Sequence, residues 1–323
     1  MANPILVLAE QLRGGLADIT FEMLGAGRAL AGAAGAPLYA VLLGREAAPL
    51  APKLGRADKV FVADHPQLDL APAGAIAAAL KSVMDQVGAG LVLVGCTNVS
   101  SGIGSLLEAK TGLPLVNFCR GAKAEGGALV FTSQLFGGKI LSDVKLADGR
   151  GIACIYPGAF PADAGKSEAT PPVEKVDVPV EPPAVVFKKY LEPEAGDVDI
   201  TKQSILVGVG RGIQTRDNVQ LAEDLALALG GAVCASRPVI DQGWLPLSRQ
   251  VGKSGMSVRP RVYLALGISG APEHWEGMQN SRCIIAVNTD PKAPIFDGSH
   301  YGAVCDVLEL LPVLTDKIKA RKG

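Results

Sequence analysis

The first half of the chain alternates short apolar runs with alanine-rich segments in which apolar residues recur at helical spacing. This alternation is typical of βαβ units, so we predict a mostly parallel sheet flanked by helices. The first helix is expected around Ile19–Ala31, with Asp18 placed to cap its amino end. The predicted strands are ILVLAE, LYAVLL, KVFVAD and LVLVGC.

The same alternation returns after residue 204 in a tighter form, which predicts a second α/β domain with an open, doubly wound sheet. Asp217 and Gln220 have the spacing of a capping box at the start of its first helix, and Gly230 is placed to end that helix. The expected strands are SILVGVG, AVCAS, VYLALG and CIIAVN, and the expected helices are DNVQLAEDLALALGG, PEHWEGMQ and a last one after Asp306.

Proline is concentrated between the two halves. Residues 161–204 contain seven of the chain's 22 prolines, and the stretch PVEKVDVPVEPPAVVFKKYLEPE predicts extended edge strands that end in a connector. We therefore predict a first domain over residues 1–190, a connector over residues 191–204 and a second domain over residues 205–323.

Charge and cysteine usage exclude several classes of protein. The formal net charge of −1, with acidic and basic residues well mixed, provides no basic surface for nucleic acid or anionic lipid. No apolar run approaches the roughly 18 residues of a membrane span, and MANPILVLAE enters a strand without a targeting segment, so we expect a cytoplasmic protein that does not insert into membranes. The six cysteines occur singly and the three histidines lie far apart, which indicates buried free thiols and no metal site.

Polar residues and glycines follow the predicted strands of the second half, at the sheet edge where such folds bind ligands. Glycines let backbone amides approach a ligand, arginines with a serine suit a pyrophosphate, and the helix that starts at Pro272 adds free N–H groups. Taken singly, each residue is more often a turn glycine, a solvated arginine or a helix cap than a ligand contact. The pattern alone indicates a dinucleotide-binding α/β domain. The residues concerned are Arg211, Ser236, Arg237, Gly267–Gly270 and Asn288.

One loop of the first half approaches a phosphate-binding pattern. The stretch GCTNVSSGIGS, Gly95–Ser105, follows a predicted strand but lacks the G-x-G-x-x-G spacing. We interpret it as a serine-rich turn between a strand and a helix, without a ligand.

The second half contains five longer motifs, ASRPVIDQGWLP, QVGKSGMSVRP, VYLALGISGAPEH, AVNTDPKAPIF and YGAVCD. In their order and spacing, these motifs closely resemble the FAD domain of electron-transfer flavoprotein alpha subunits. The first half resembles the same family more weakly, through LVLAEQLRGGLADITFEMLGAGRALA, GGKILSDVK and YPGAF. The resemblance covers essentially the whole chain and implies that the second α/β domain binds FAD.

Carried over residue by residue, the resemblance implies which residues contact FAD. The isoalloxazine ring is expected near Arg237, Ser254 and His274, where a cation and hydrogen-bond donors stabilise negative charge on the reduced ring. His274 is expected to donate toward the pyrimidine end of the ring, while Asn288 and Asp306 lie on the ADP side. The full set is Arg211, Ser236, Arg237, Val251, Gly252, Lys253, Ser254, Ser269, Gly270, Ala271, Pro272, Glu273, His274, Asn288, Asp306 and Val307.

This set departs from the family pattern in two places, which involve three residues. Lys253 occupies a place where the family usually has glutamine, in a V-G-Q-[ST]-G pattern. Pro272 and Glu273 replace the usual apolar and amide pair before the histidine. Neither change forbids FAD, and both bear on the flavin's potential and on the identity of its electron donor.

The resemblance implies an electron carrier rather than an enzyme with its own substrate. FAD would take electrons from flavin dehydrogenases such as acyl-CoA dehydrogenases and pass them to a second oxidoreductase, either quinone-linked or part of a bifurcating complex. The chain would form a heterodimer with a beta subunit packed against the first domain, and the connector would serve as a hinge. Two alternatives stay open: a nicotinamide- or nucleotide-dependent oxidoreductase with His274 as acid or base, and a scaffold without a cofactor.

Overall fold

The computed structural model describes residues 3–180, 185–190 and 197–322, and the chain divides into two compact units, Met1–Lys189 and Tyr190–Gly323. Residues 191–196 of the expected connector lie outside the described residues. Residues 197–204, which we also assigned to the connector, pack with the second unit instead. Asp197 forms an ion pair with Arg249 at 2.5 Å, and Ile200 is only 1% exposed. Ion pairing and burial therefore make this stretch part of a folded unit.

The first unit is built mainly on one large sheet. The strands of this unit are β1 (Ile5–Leu8), β2 (Gln11–Leu12), β3 (Gly15–Leu16), β4 (Leu38–Gly44), β5 (Lys59–Asp64), β6 (Leu91–Gly95), β7 (Leu115–Glu125), β8 (Ala128–Leu135), β9 (Ile140–Leu146), β10 (Gly151–Ile155) and β11 (Val173–Lys175). β2 and β3 form a separate, two-stranded antiparallel sheet. The α-helices of the unit are α1 (Asp18–Ala34), α2 (Ala73–Val87) and α3 (Ile103–Thr111).

The described strands of this sheet lie in the order β11-β5-β4-β1-β6-β10-β7-β8-β9. Neighbours from β11 to β7 run parallel, which confirms the prediction of a mostly parallel sheet, and β8 and β9 extend one edge as antiparallel strands. Side chains of β1 alternate between two cores: Ile5 and Val7 pack with α1, whereas Leu6 and Leu8 pack with α2 and α3. The proline-rich stretch contributes β11, a short edge strand.

The second unit has a smaller sheet in which all neighbouring strands run parallel, in the order β13-β12-β14-β15-β16. Helices α4 and α8 pack on one face, and α6 and α7 pack on the other, which confirms a doubly wound domain. The strands are β12 (Ile205–Val209), β13 (Ala232–Ala235), β14 (Val262–Leu266), β15 (Ile284–Asn288) and β16 (Tyr301–Val304). The helices are α4 (Val219–Leu229), α5 (Arg237–Asp241), α6 (Pro272–Met278), α7 (Ile295–Gly298) and α8 (Val307–Lys322).

The cap predicted for the first helix is wrong. α1 already includes Asp18, and the N-cap residue is Ala17, which makes no side-chain cap bond. The first turn is held instead by Thr20, whose hydroxyl donates to the carbonyl of Glu10, two residues after β1, and accepts from the Glu10 N–H.

The capping box predicted for α4 is also wrong. The N-cap residue is Asn218, one position after Asp217, so Asp217 and Gln220 do not have the required register. Asn218 donates through its side-chain amide to the Ile213 carbonyl at 2.9 Å, which anchors the preceding turn. The left-handed glycine at the other end is confirmed, since Gly230 has a φ of 74°.

All six cysteines are free, but only three are buried, so the expectation of buried thiols is half correct. Burial raises the pKa of Cys154 and of Cys234 to about 12. The buried thiols are Cys119, Cys154 and Cys234, and the half-buried ones are Cys96, Cys283 and Cys305.

Within the described ranges, no cluster of ligating side chains could hold a metal ion, and no helix is long and apolar enough to cross a bilayer.

The loop after β6, GCTNVSSGIGS, closes around a carboxylate of the chain itself. Glu10 follows β1 and is 6% exposed, and its Oε2 accepts hydrogen bonds from the hydroxyls of Thr97 and Ser100. A Cβ on Gly95 would lie 3.2 Å from the same oxygen. β1 and β6 flank the point at which the strand order reverses, where open α/β sheets bind ligands. An internal side chain occupies that point here.

Candidate functional site

A cavity of about 640 Å³ opens at the carboxyl edge of the second sheet, where the strand order reverses between β12 and β14. Fourteen of the sixteen predicted site residues line it, from loops that follow all five described strands. Gly270 and Pro272 belong to one of these loops without lining the cavity. The predicted residues that line it are Arg211, Ser236, Arg237, Val251, Gly252, Lys253, Ser254, Ser269, Ala271, Glu273, His274, Asn288, Asp306 and Val307.

Close backbone packing joins the loops that follow β12 and β14. Gly210 N–H donates to the Leu266 carbonyl at 2.9 Å, and Gly212 N–H donates to the Gly267 carbonyl at 3.1 Å. A Cβ on Gly212 would lie 2.6 Å from the Gly267 α-carbon, so no side chain fits between them. Gly267 has a φ of 61°, which favours glycine. This part of the cavity wall is therefore backbone.

Gly270 shapes the loop after β14 from outside the cavity. It has a φ of 89°, and a Cβ there would lie 2.2 Å from the Ile295 backbone nitrogen. The Ile295 N–H donates to the Ser269 carbonyl at 3.0 Å, so α7 and this loop are held in direct contact. Asn288 supports the same loop from the end of β15, because its Nδ2 donates to the Ile268 carbonyl at 2.9 Å.

Cationic and anionic side chains both line the cavity. Arg237 has a 66% exposed side chain and lies 3.4 Å from Asp241, a surface pair too weak to hold the guanidinium away from a ligand. Asp306 accepts a hydrogen bond from the Leu308 N–H at 2.8 Å and so caps α8. The cations are Arg211, Arg237 and Lys253, and the carboxylates are Glu273 and Asp306.

The segment Val251–Ser254 reaches the cavity as a loop fixed to α6. Its Lys253 N–H donates to the Glu273 carbonyl at 2.7 Å. Gln250, which is 3% exposed, donates from Nε2 to the Ser254 hydroxyl oxygen at 2.9 Å. The positions of the side chains on this loop therefore depend on its contacts with α6.

His274 lines the cavity, but both of its ring nitrogens bond to protein. Nδ1 lies 3.1 Å from the Val251 carbonyl oxygen, and Nε2 lies 3.1 Å from the Tyr263 hydroxyl. Because a carbonyl oxygen only accepts, Nδ1 carries the proton and Nε2 accepts from Tyr263. Burial lowers the pKa of His274 to about 4, so the ring is neutral near pH 7. The geometry thus differs from the expected donation toward a flavin, since the only N–H of the neutral ring is donated to Val251.

Comparisons with known proteins match both units of the chain. The family model described as the electron transfer flavoprotein domain matches residues 5–181, and the model described as the electron transfer flavoprotein FAD-binding domain matches residues 199–279. An electron transfer flavoprotein subunit alpha from Bacillus subtilis (strain 168) is 32% identical over 99% of this chain and 98% of its own length. The chain belongs to the electron transfer flavoprotein alpha-subunit family.

Two other relatives are named as subunits of enzymes. The lactate dehydrogenase (NAD(+),ferredoxin) subunit LctC of Acetobacterium woodii is 34% identical over 98% of this chain and 77% of its own length. The acryloyl-CoA reductase electron transfer subunit beta of Anaerotignum propionicum is 35% identical over 99% of this chain and 96% of its own length.

The cavity suits FAD, the cofactor of this alpha-subunit family. Its volume of about 640 Å³ falls within the roughly 300–1,000 Å³ of small-molecule sites. Its guanidinium and ammonium groups match the charge of a diphosphate, and its backbone wall allows close approach of a ligand. The residues present therefore fit a flavin dinucleotide.

Several residues that line the cavity fall outside the predicted set. For Gln250 the only sequence signal is its place directly before the V-G-K-S-G motif; the structure adds that it is buried and bonds to Ser254 of that motif. Most of the others line the cavity through the path of their loops, which a sequence pattern does not define. The additional residues are Gly212, Gln214, Pro238, Gln250 and Thr289, together with Gly267 and Ile268, which the strand-end pattern indicated but the family resemblance did not.

Proposed function

We propose that the second-unit cavity holds the FAD and that the chain carries electrons between partner proteins as the alpha subunit of an electron transfer flavoprotein. The convergence of fourteen predicted contact residues on one cavity carries this proposal. When bound, FAD supplies a ring system that accepts and releases electrons. In this proposal Arg237 and Ser254 contact the ring, while Asn288 and Asp306 orient the ADP portion.

The exposed guanidinium of Arg237 gives the ring side a delocalised cation. A cation there stabilises negative charge on the ring, whereas Ser254 is held by Gln250 in a position to exchange a hydrogen bond. His274 acts differently in this proposal, since it orients the Val251 backbone. A nicotinamide-dependent enzyme would need a free acid or base over its cofactor, and no observation at His274 favours that alternative.

The proposal includes a beta subunit bound to the first unit. The tip of the β8–β9 hairpin exposes the side chains of Phe136, Ile140 and Leu141 to 75%, 50% and 60%. Apolar side chains grouped in this way mark protein interfaces. The subunit names of the relatives are consistent with a chain that works in a complex.

The electron donors in this proposal are flavin dehydrogenases such as acyl-CoA dehydrogenases, and the acceptor is a second oxidoreductase. Relatives named for an acryloyl-CoA reductase and for a lactate dehydrogenase support partners of this general class. The flavin must accept electrons from one partner protein and pass them to another. Part of it must therefore remain accessible from the protein surface. The solvent-exposed Arg237 side chain lies at such an accessible part of the cavity.

Co-expression with a beta subunit tests the proposal. We expect a yellow one-to-one complex with the blue absorption of bound flavin, and poor solubility or FAD loss when the chain is expressed alone. Replacing Phe136 and Leu141 with Asp should reduce co-purification of the beta subunit at least about tenfold, because a buried charge opposes association. Leu227→Asp is the matched control, since Leu227 is 81% exposed in the second unit. A monodisperse, fully flavinated monomer would contradict the subunit role, and a complex without flavin absorption would contradict the cofactor assignment.

A further inference from the structure

A buried chain of hydrogen bonds runs from the second sheet to the loop that lines the cavity. Cys234 Sγ lies 3.5 Å from Tyr263 Oη, Tyr263 Oη lies 3.1 Å from His274 Nε2, and His274 Nδ1 lies 3.1 Å from the Val251 carbonyl oxygen. Cys234 and Tyr263 are fully buried, and His274 is 6% exposed. A buried polar group without a hydrogen-bond partner costs free energy. Each group in this chain therefore depends on its neighbours to stay in place.

The acceptor at the end of the chain fixes the direction of every bond. The Val251 carbonyl requires a proton on His274 Nδ1, which leaves Nε2 to accept from the Tyr263 hydroxyl. The phenol oxygen then accepts from the Cys234 thiol. Burial raises the pKa of Tyr263 well above its usual value and lowers the pKa of His274, so both side chains remain neutral around pH 7.

Glycines create the space for this arrangement on both sides. A Cβ on Gly208 of β12 would lie 2.4 Å from Tyr263 Oη, so the hydroxyl occupies space that any larger residue would fill. On the other side, a Cβ on Gly277 of α6 would lie 2.4 Å from the Gly252 backbone nitrogen. The helix that carries His274 therefore packs directly against the loop that His274 holds.

We infer that Tyr263 is a positioning residue for the cofactor site: through His274, its hydroxyl fixes the Val251 backbone and the loop that presents Lys253 and Ser254 to the cavity. Tyr263 does not itself line the cavity, so it acts only through the histidine. The inference rests on the proposed function for the identity of the ligand.

Tyr263→Phe removes the hydroxyl and retains the ring. In the full-length chain with its beta subunit, we expect the FAD dissociation constant to rise about tenfold, because His274 Nε2 loses its buried donor. Gly208→Ala displaces the same hydroxyl and should weaken FAD binding in the same direction. Tyr301→Phe, at a 68% exposed tyrosine of the same unit, is the matched control and should leave FAD affinity unchanged. If both Tyr263→Phe and Gly208→Ala fold and bind FAD like the wild type, the inference is overturned.

Nitrogen NMR of the histidine-labelled complex without FAD provides a readout that does not depend on the cofactor. We expect His274 to be neutral and protonated at Nδ1 between about pH 6 and 8, and we expect Tyr263→Phe to change the Nε2 resonance. A proton on Nε2 in the wild type would overturn the inference whether or not FAD binds. The expected tautomer in a wild-type complex that cannot bind FAD would instead overturn the proposed function and leave the histidine geometry in place.

Discussion

The two sheets differ at the points where their strand orders reverse. Between β1 and β6, the Glu10 carboxylate lies inside the following loop and accepts from the Thr97 and Ser100 hydroxyls. Between β12 and β14, loops that contact each other through Gly212 and Gly267 border an open cavity of about 640 Å³. Both sheets share the α/β architecture, so the fold alone does not determine which of them binds a ligand. We expect the residues at the reversal point to determine it.

Of the substitutions that test this difference, Gly270→Ala should have the largest effect on FAD binding, because it disturbs the loop that keeps the second site open. A Cβ 2.2 Å from a backbone nitrogen cannot be relieved by a rotamer change, and the φ of 89° adds strain. We expect FAD affinity, measured by fluorescence titration of the complex, to fall about 100-fold or more.

Gly243→Ala is the control for the Gly270 substitution. Gly243 has a φ of 69° in the same unit, but a Cβ there meets nothing within 4 Å. It should therefore carry the conformational strain without the steric overlap, and FAD affinity should be nearly unchanged. Equal affinities for the two variants would mean that Gly270 does not shape the site.

The two sites also differ in the ionisable group they contain: a carboxylate fills the first, whereas a neutral histidine supports the second. Because protonation of a buried neutral histidine is unfavourable, we expect acid to destabilise the second unit through His274. Its pKa is about 4 in the folded chain against about 6.5 for a free side chain. As the pH falls from 6.5 to 4, the unfolded chain binds a proton that the folded chain excludes, so the free energy of unfolding decreases. The decrease from this group is about 3 kcal/mol at most.

Urea unfolding at pH 7 and pH 4.5 measures this contribution. The hydrogen-bonded neighbours Tyr263 and Cys234 stay protonated across the range, since burial raises the pKa of each. His274→Gln should lose this part of the acid sensitivity, and His300→Gln, at an exposed histidine, should keep it. The same acid sensitivity in both variants would contradict the buried, neutral state of His274.

Glu10→Gln tests whether the carboxylate at the first reversal point has a purely structural role. The amide retains the shape but loses the charge-assisted bonds from Thr97 and Ser100, so we expect the free energy of unfolding to fall by about 1–2 kcal/mol. FAD content should not change. Glu46→Gln, with an 83% exposed side chain, should affect neither quantity. Loss of flavin in Glu10→Gln with a folded chain would contradict the assignment of the cofactor to the second unit.

Lys253→Gln should have the smallest effect, on potential rather than on binding. The substitution replaces a cation that lines the cavity with the glutamine usual in the family, and removal of a partly screened charge should lower the flavin potential by about 40–90 mV. The difference should narrow as salt is raised. Redox titrations at two ionic strengths measure it, with Lys292→Gln at an exposed lysine as control. Coincident curves for wild type and Lys253→Gln would show that the ammonium does not act on the flavin.

The central strands of both sheets were predictable because a strand covered on both faces needs apolar side chains throughout, as in Val262–Leu266. The edge strand β16 escaped prediction, since all four of its residues are exposed and carry no apolar period. The partners of His274 were equally hidden from sequence patterns. Tyr263 and Val251 lie 11 and 23 residues away along the chain, and their bonds to the ring depend on how α6 packs.

Photolabelling tests the central claim, that FAD binds at the second reversal point and not at the first. The full-length chain with its beta subunit would be loaded with an azido-substituted FAD and illuminated, and the labelled peptides would be identified by mass spectrometry. We predict labels on the loops Val251–Ser254 and Ser269–His274, which line the cavity. Labels on Gly95–Ser105 of the first unit, with both second-unit loops unlabelled, would contradict the account.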